Sequence, residues 1–400
     1  MVQSSKGALT GLTVLDMTRV LAGPFCGMIL ADMGADVIKI EEPDKGDDSR
    51  GFGPFVKGES AYYMNLNRNK RGITLNLKHP KGKAVFLQLV KKADVVLENF
   101  RTGVMDRLGL GYEDLKRHNP GIVYAAVSGF GHYGPYKDRA GYDIISQAMG
   151  GLMSTTGWPD GSPTRTGTAM GDVLAGLSVT IGILAALKSR DHTGEGQKVD
   201  VALVDSVVAS LEIINQIYLA EGRVPTRIGN RYESVYPYDS FQVADGYIVI
   251  GIGNDKLWQK LCELMCDATA AANPDFKLNR NRVERHAEVK PIVERWTKQL
   301  KTTDVLKRLE GAGIPCAPIY SIDQVVNDPH IGGAREMFVE IDHPKAGKTK
   351  LTGAHIKMSA TNPGVRTPSP LLGQHNEEIL HTVLGIAKDE IQKMKEEKVI

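Results

Sequence analysis

The sequence predicts an α/β protein built on an open, mainly parallel sheet covered by helices. Three observations carry this. Short apolar runs alternate with helix-like stretches along the first half of the chain, the runs are bounded by glycine and proline turns, and the pattern changes near Gly222 and again near Asn327. Four hundred residues are long for one core, and the two breaks predict a large unit made of residues 1–221 and 328–400 and a smaller one of residues 222–327.

The elements follow in order. Leu12 to Met17 is apolar enough for a buried strand, Thr18 to Pro24 reads as a loop, and Phe25 to Met33 as a helix that Gly34 ends. Asp36 to Glu41 is the second strand, which completes a βαβ unit. Asn67 to His79 combines basic residues with strand-like alternation at Ile73, Leu75 and Leu77, and would carry Lys78 at its end. Further strands are expected at Ala93 to Glu98, Ile122 to Val127 and Lys198 to Leu203, with helices at Lys81 to Lys92, Tyr112 to His118 and Asp205 to Glu221. In the smaller unit, strands are expected at Tyr247 to Gly251 and Ala317 to Tyr320, with helices around Asp255 to Met265, Glu284 to Leu300 and Asp304 to Glu310. Beyond Asn327 the chain reads as loop-rich, and Asn376 to Ile400 as mostly helical and charged.

A net charge of +2 gives no electrostatic case for nucleic acid. The polar stretch Met1 to Leu9 lacks a signal-peptide core, and no run reads as a membrane helix, so the expectation is a cytoplasmic protein. Cys262 and Cys266 share a helix face, but no His or Cys elsewhere completes a metal set, and no metal is expected. Glu41 stands where a nicotinamide fold places its ribose acid. The turn Ala22 to Gly27 lacks G-x-G-x-x-G, however, and Pro24 has no N–H for a phosphate, so no nicotinamide is expected and Glu41 reads as a solvated strand-end acid. His132, in the glycine-rich loop Ser128 to Pro135, reads as exposed rather than catalytic, and no G-x-S-x-G elbow is present.

Asp172 follows Gly171 and opens the apolar run Val173 to Leu187, which reads as a buried helix. At the N-cap or first turn, backbone N–H groups and the positive dipole end would favour its ionised form. By itself such an aspartate is a helix cap far more often than a nucleophile.

The ordered set VLDMTRVLAGP (Val14 to Pro24), GADVIKIE (Gly34 to Glu41), NKRGITLNLK (Asn69 to Lys78), ADVVLENFRTGVMDRLG (Ala93 to Gly109), SGFG (Ser128 to Gly131), RAGYD (Arg139 to Asp143), Gly171-Asp172, TGEGQKVDVAL (Thr193 to Leu203) and LLGQH (Leu371 to His375) resembles the class III CoA-transferases. This is the family of formyl-CoA and carnitine CoA-transferases. The resemblance implies a Rossmann-like large domain from N- and C-terminal segments, an inserted small α+β domain, and two chains threaded as an interlocked dimer, or in some members a complex of related subunits. It implies coenzyme A as co-substrate, an acyl-CoA and a small carboxylic acid as partners, and Asp172 as nucleophile. The expected CoA contacts are Val20, Leu21, Leu75, Lys78, Asn99, Phe100, Arg101, Arg107, Arg139 and Tyr142.

Three departures matter. Leu21 replaces a glutamine of formyl-CoA transferase. Glu42 replaces a phosphate-binding arginine, which shifts that role to Lys78 and Arg107. A tetraglycine segment is replaced by Arg227 to Ser234, where Arg227 and Arg231 could hold the remote carboxylate of a dicarboxylic acid. The stretch Gly229 to Phe241 is similar to members that use succinyl or glutaryl groups. The 2-methylacyl-CoA racemase branch is the nearest rival, but it needs a histidine where Tyr142 stands.

Overall fold

The computed structural model describes residues 7–400. Among them the strands are, in chain order, β1 (Thr13–Asp16), β2 (Asp36–Glu41), β3 (Phe55–Val56), β4 (Glu59–Ser60), β5 (Lys70–Thr74), β6 (Val95–Glu98), β7 (Val123–Ser128), β8 (Lys198–Ala202), β9 (Tyr238–Val243), β10 (Gly246–Gly251), β11 (Cys316–Pro318), β12 (Phe338–His343) and β13 (Gly347–Thr352). The chain divides into two compact units. One holds residues through Leu152, Arg165–Gly222 and Pro329–Ile400; the other holds Met153–Thr164 and Arg223–Asp328.

The first unit is a mixed α/β fold on a six-stranded sheet of order β5-β2-β1-β6-β7-β8, with every pair parallel. Strands buried on both faces need apolar side chains at successive positions, and these supply them. On one face Leu15, Ile38, Val96 and Tyr124 pack against Val85, Phe86 and Leu89 of the Pro80–Val90 helix and against Ile379, Leu380 and Met394. On the other, Val14, Val37, Val95, Leu97 and Val127 pack against the helices Ala22–Asp32 and Met170–Thr193. Each such side chain, fully buried, contributes about 1.5–3 kcal/mol before entropy is counted. The strand order reverses between β1 and β6, and the loops leaving their C-terminal ends diverge there to leave a crevice.

Several expectations are corrected. The strand with Lys78 at its end stops at Thr74, because His79 caps the next helix and the chain must turn first. The single helix at Asp205 to Glu221 is two, Leu203–Ser210 and Glu212–Glu221, bent by 75°. The helix opened by Asp172 is buried along one stripe only (Ala175, Val179, Ile183, Ala186 and Leu187), with Ile181 68% exposed. By length and composition this Met170–Thr193 helix also passes as a membrane span, contrary to the reading of the sequence, although its apolar stripe packs on the sheet. The loop-rich region after Asn327 contains the β12–β13 antiparallel hairpin, whose alternating lysines and acids hide its strand character. Glu41 is buried, not solvated, and is held by Arg50 through both oxygens at 2.7 Å and by the Tyr63 hydroxyl at 3.1 Å.

β5 is an edge strand, and the C-terminal region covers it. Gly72 and His375 exchange bonds of 2.9 Å, the Thr74 N–H donates to Asn376 Oδ1 at 2.8 Å, and the Asn76 N–H to the Val399 carbonyl at 2.8 Å. The second unit is a three-stranded antiparallel sheet, β11-β10-β9. Its core joins Phe241, Ile248 and Ile250 to Trp258, Val289, Val293, Val305 and Leu309 from flanking helices.

Candidate active site

Two clefts open at the switch point of the parallel sheet. The first, of about 340 Å³, is lined by the loop after β1, the turn after β6 and the loop after β7, with Asp172 in its wall. It gathers Val20, Leu21, Asn99, Phe100, Arg101, Arg139, Tyr142 and Asp172 from the expected set. The second, of about 270 Å³, holds Leu75 and Lys78, and shares Arg19 and Phe100 with the first. Arg107 lines neither; it is exposed and packs over Gly103. Cation supply to the first cleft comes instead from Arg19, Arg101, Lys137 and Arg139, against the acids Asp48 and Asp172. Glu42 lines the second cleft and lies 3.7 Å from Arg19.

The loop after β1 is locked from beneath by charges that are fully buried and fully paired. Lys70 meets Asp16 at 2.8 Å, and Lys39 meets Asp47 at 2.8 Å. Asp16 accepts from the Thr18 N–H and hydroxyl, Lys39 bonds the Thr18 carbonyl, and Asp47 accepts the Val20 N–H at 3.1 Å. Burial alone would raise the Asp16 and Asp47 carboxyls; the ammoniums beside them more than offset it and hold both below the usual range. Val20 is kept at φ +66°, a left-handed conformation that a β-branched residue adopts at a cost of about 1–3 kcal/mol. From the other side, Asn99 clamps Arg19, accepting its N–H at 2.8 Å and donating to its carbonyl at 2.7 Å.

Asp172 lies in the first turn of the Met170–Thr193 helix, and no cation pairs with its carboxylate among the described residues. The dipole expectation fails here. Burial, and then the charge of Asp143, push its carboxyl up to about 7. Asp143 was not singled out in the sequence, yet it organises the Gly-Asp pair: Oδ1 accepts the Gly171 N–H at 2.8 Å and Oδ2 accepts from Gln147 at 2.8 Å. Gly171 must lack a side chain, since a Cβ there would lie 2.3 Å from Ser146 Oγ and 3.1 Å from Asp143 Oδ1. In the same cleft, the backbones of Gly129 and Gly141 approach so closely that a Cβ on either would meet the other's Cα at 2.8 Å. This part of the cleft wall is therefore main chain.

Arg227 and Arg231 belong to the second unit. Arg227 Nε is buried with no hydrogen-bond partner among the described residues, and one terminal nitrogen lies 3.5 Å from the Ser154 carbonyl. No group of His, Cys, Asp and Glu among the described residues is arranged to hold a metal ion.

Residues 9–376 match the family described as CoA-transferase family III. The succinyl-CoA–D-citramalate CoA-transferase of Chloroflexus aurantiacus is 38% identical over 98% of this chain and 98% of its own. The succinyl-CoA:mesaconate CoA-transferase of Haloarcula marismortui is 41% identical over 94% of this chain and 96% of its own. A CAIB/BAIF family protein from Brucella suis, known from its crystal structure, superimposes with a TM-score of 0.83 at 39% identity, covering 94% of this chain and 100% of that one. An unpaired carboxylate at the sheet's switch point, in a cation-lined cleft, thus comes with likeness along nearly the whole chain, and the chain belongs to CoA-transferase family III, enzymes that use CoA thioesters as co-substrates.

Proposed function

We propose that this enzyme moves CoA from succinyl-CoA to a second dicarboxylic acid, with Asp172 as the acyl carrier. The observation that carries the reading is the state of Asp172: a part-buried carboxylate with no counter-ion, in a cleft lined by four cations. A poorly solvated carboxylate is a stronger nucleophile than a paired one. Attack on the thioester carbonyl expels CoA thiolate and leaves an aspartyl–succinyl anhydride. The thiolate returns to the aspartyl carbonyl, freeing succinate and forming an aspartyl-CoA thioester. The acceptor carboxylate then attacks that thioester, and the two steps run in reverse to give the new acyl-CoA and free Asp172. Each carbonyl passes through an oxyanion, and the main-chain wall at Gly129 and Gly141 is a source of fixed dipoles in the same cleft.

CoA is assigned to the first unit, with its pantetheine and phosphate groups against Val20, Leu21, Asn99, Phe100, Arg101, Arg139 and Tyr142, and its adenosine end against Leu75 and Lys78. Arg19 joins this set and Arg107 leaves it. Citramalate and mesaconate are both dicarboxylates, which supports a second carboxylate in the acceptor, and Arg227, whose Nε has no partner among the described residues, and Arg231 are proposed to bind such a carboxylate. The second unit is read as the inserted small domain and the assembly as an interlocked cytoplasmic homodimer; the exposed Ile181, Tyr218 and Leu219 are apolar surface that such a partner would cover.

The test supplies succinyl-CoA with a panel of mono- and dicarboxylic acids and reads new thioesters by mass spectrometry. Hydroxylamine added with succinyl-CoA alone should leave a hydroxamate at Asp172. Solvent deuterium appearing at an α-carbon without thioester exchange would overturn the reading. Arg227→Ala should raise KM for dicarboxylic acceptors by about tenfold and spare that for succinyl-CoA by comparison.

A further inference from the structure

Glu98 is the last residue of β6 and is 2% exposed, directly before the turn that carries Asn99 and Arg101 into the cleft. Its two oxygens face different elements. Oε2 accepts the Phe100 N–H at 2.7 Å, which folds the turn back on the strand end. Oε1 accepts the Tyr124 hydroxyl at 3.1 Å and lies 3.8 Å from His132 Nε2. His132 is half-buried, not exposed as its loop position implies, with 9% of its side chain accessible. It belongs to the glycine-rich loop whose continuation, Arg139 to Tyr142, lines the cleft. Its backbone N–H donates to Asp200 at 2.9 Å, and its Nδ1 lies 2.9 Å from Lys198 Nζ. An ammonium only donates, so Nδ1 accepts there and the proton of the neutral ring sits on Nε2. That Nε2 is buried with no partner. A donor and an acceptor thus face each other inside the protein, too far apart for a hydrogen bond and too close for a water between them.

We infer that Glu98 is a positioning residue for acyl-CoA: when the cleft is occupied, the Glu98–His132 gap closes to a hydrogen bond that ties the glycine-rich loop to the Asn99–Arg101 turn, and this happens only with Glu98 ionised. The inference rests on the CoA-transferase reading of the cleft. Only a carboxylate accepts from Phe100, Tyr124 and His132 together. The groups facing it are Tyr124 on β7, Lys198 and Asp200 on β8, Asp106 in the Val104–Arg107 helix, and His132 itself. Burial pushes the Glu98 carboxyl up to about 7, against donation from Phe100 and Tyr124 and the charge of Lys198. Burial, and then Lys198, hold His132 below its ordinary value, so near neutral pH the acid changes charge while the imidazole stays neutral.

The experiment measures CoA affinity by calorimetry from about pH 6 to about pH 8, and kcat and KM for succinyl-CoA, in wild type, Glu98→Gln, His132→Gln and the double variant. In an Asp172→Asn background, which removes the other cleft acid that changes charge near pH 7, affinity should rise about fivefold to tenfold over that range beyond the ligand's own titration, and the variants' affinities are compared in the same background. Glu98→Gln keeps one acceptor, for the Phe100 N–H, but cannot ionise; it should bind CoA about tenfold more weakly at pH 8, lose the excess pH dependence, and keep kcat within about twofold. His132→Gln should reproduce the loss, and the double variant should add nothing to it. Should Glu98→Gln fail to fold, His132→Gln makes the same comparison from a loop position. A wild type that exchanges CoA while both variants keep the affinity and pH slope of the Asp172→Asn background overturns the inference, as does a loss confined to kcat. A wild type that neither binds CoA nor exchanges it overturns the reading of the cleft itself.

Discussion

Two sets of acids, one buried beneath the cleft and one half-buried in its wall, have opposite fates. Beneath the Thr18–Leu21 loop, Asp16 and Asp47 are each matched to a lysine and saturated with N–H and hydroxyl donors. In the wall of the cleft, Asp172 has a second carboxylate, Asp143, as its electrostatic neighbour and no cation. Pairing makes the first set chemically silent and turns it into scaffold, holding Val20 in a conformation its side chain disfavours. Lack of pairing leaves Asp172 with a cost in free energy, and in the proposed mechanism that same lack makes it the nucleophile. The lesson is that burial alone does not mark a reactive acid; burial without compensation does.

The comparison can be broken most directly at its reactive end. Asp172→Asn should lower kcat for CoA exchange by about a thousandfold or more, with no hydroxamate formed and no loss of thermal stability. Cutting a pair should do the reverse. Lys70→Met strands Asp16 in the interior and should cost about 3–5 kcal/mol of unfolding free energy, measured by urea titration, and adding Asp16→Asn should recover part of it. A smaller change sharpens the role of Asp143. Asp143→Asn keeps an acceptor for the Gly171 N–H but removes the neighbouring charge, so the rising limb of kcat against pH should move down by about one pH unit. If the limb stays in place, desolvation alone sets the Asp172 carboxyl.

The smallest effect is in stability against pH, and its sign differs between the two sets. Asp172 has a folded value near 7, above that of an unfolded aspartate, so the folded state holds the proton more tightly and loses stability as pH rises from about 4 to about 7. Asp172→Asn should therefore melt higher than wild type at pH 8 by a few degrees, with the gap closing toward about pH 5. Asp16 and Asp47 have depressed values, so their contribution is present above about pH 4 and is lost as pH falls below it. Scanning calorimetry across this range reads both signs.

The strands of the parallel sheet were legible because each is a short run of apolar residues buried on two faces, and β2, β6 and β7 stand within a residue or two of where composition puts them. Asp172 was legible as a residue, through its glycine and the apolar run behind it, but its charge state was not. That depends on Asp143, whose partner Gly171 lies 28 residues away in sequence. The same holds for Glu41, read as solvated while Arg50 and Tyr63 wait to enclose it, and for Asp16, whose lysine is 54 residues distant. Local pattern specifies which residues go inside; it is silent on which buried charges meet. Arg107 lies outside the cleft lining for a geometric reason: it sits on a one-turn helix beyond the turn from which Arg101 enters the cleft.

The cover of β5 bears on how the protein is made. Main-chain groups of Asn69, Gly72, Thr74 and Asn76 are satisfied by Thr367, His375, Asn376 and Val399. About 290 residues separate the strand from the first of these partners. At translation rates of about 5–20 residues per second, the edge of the sheet stands open for roughly 15–60 s on the ribosome before its cover emerges. The nascent chain thus carries a sticky edge through most of its own synthesis, and a ribosome stalled in the second unit would release a sheet ready to pair with its neighbours.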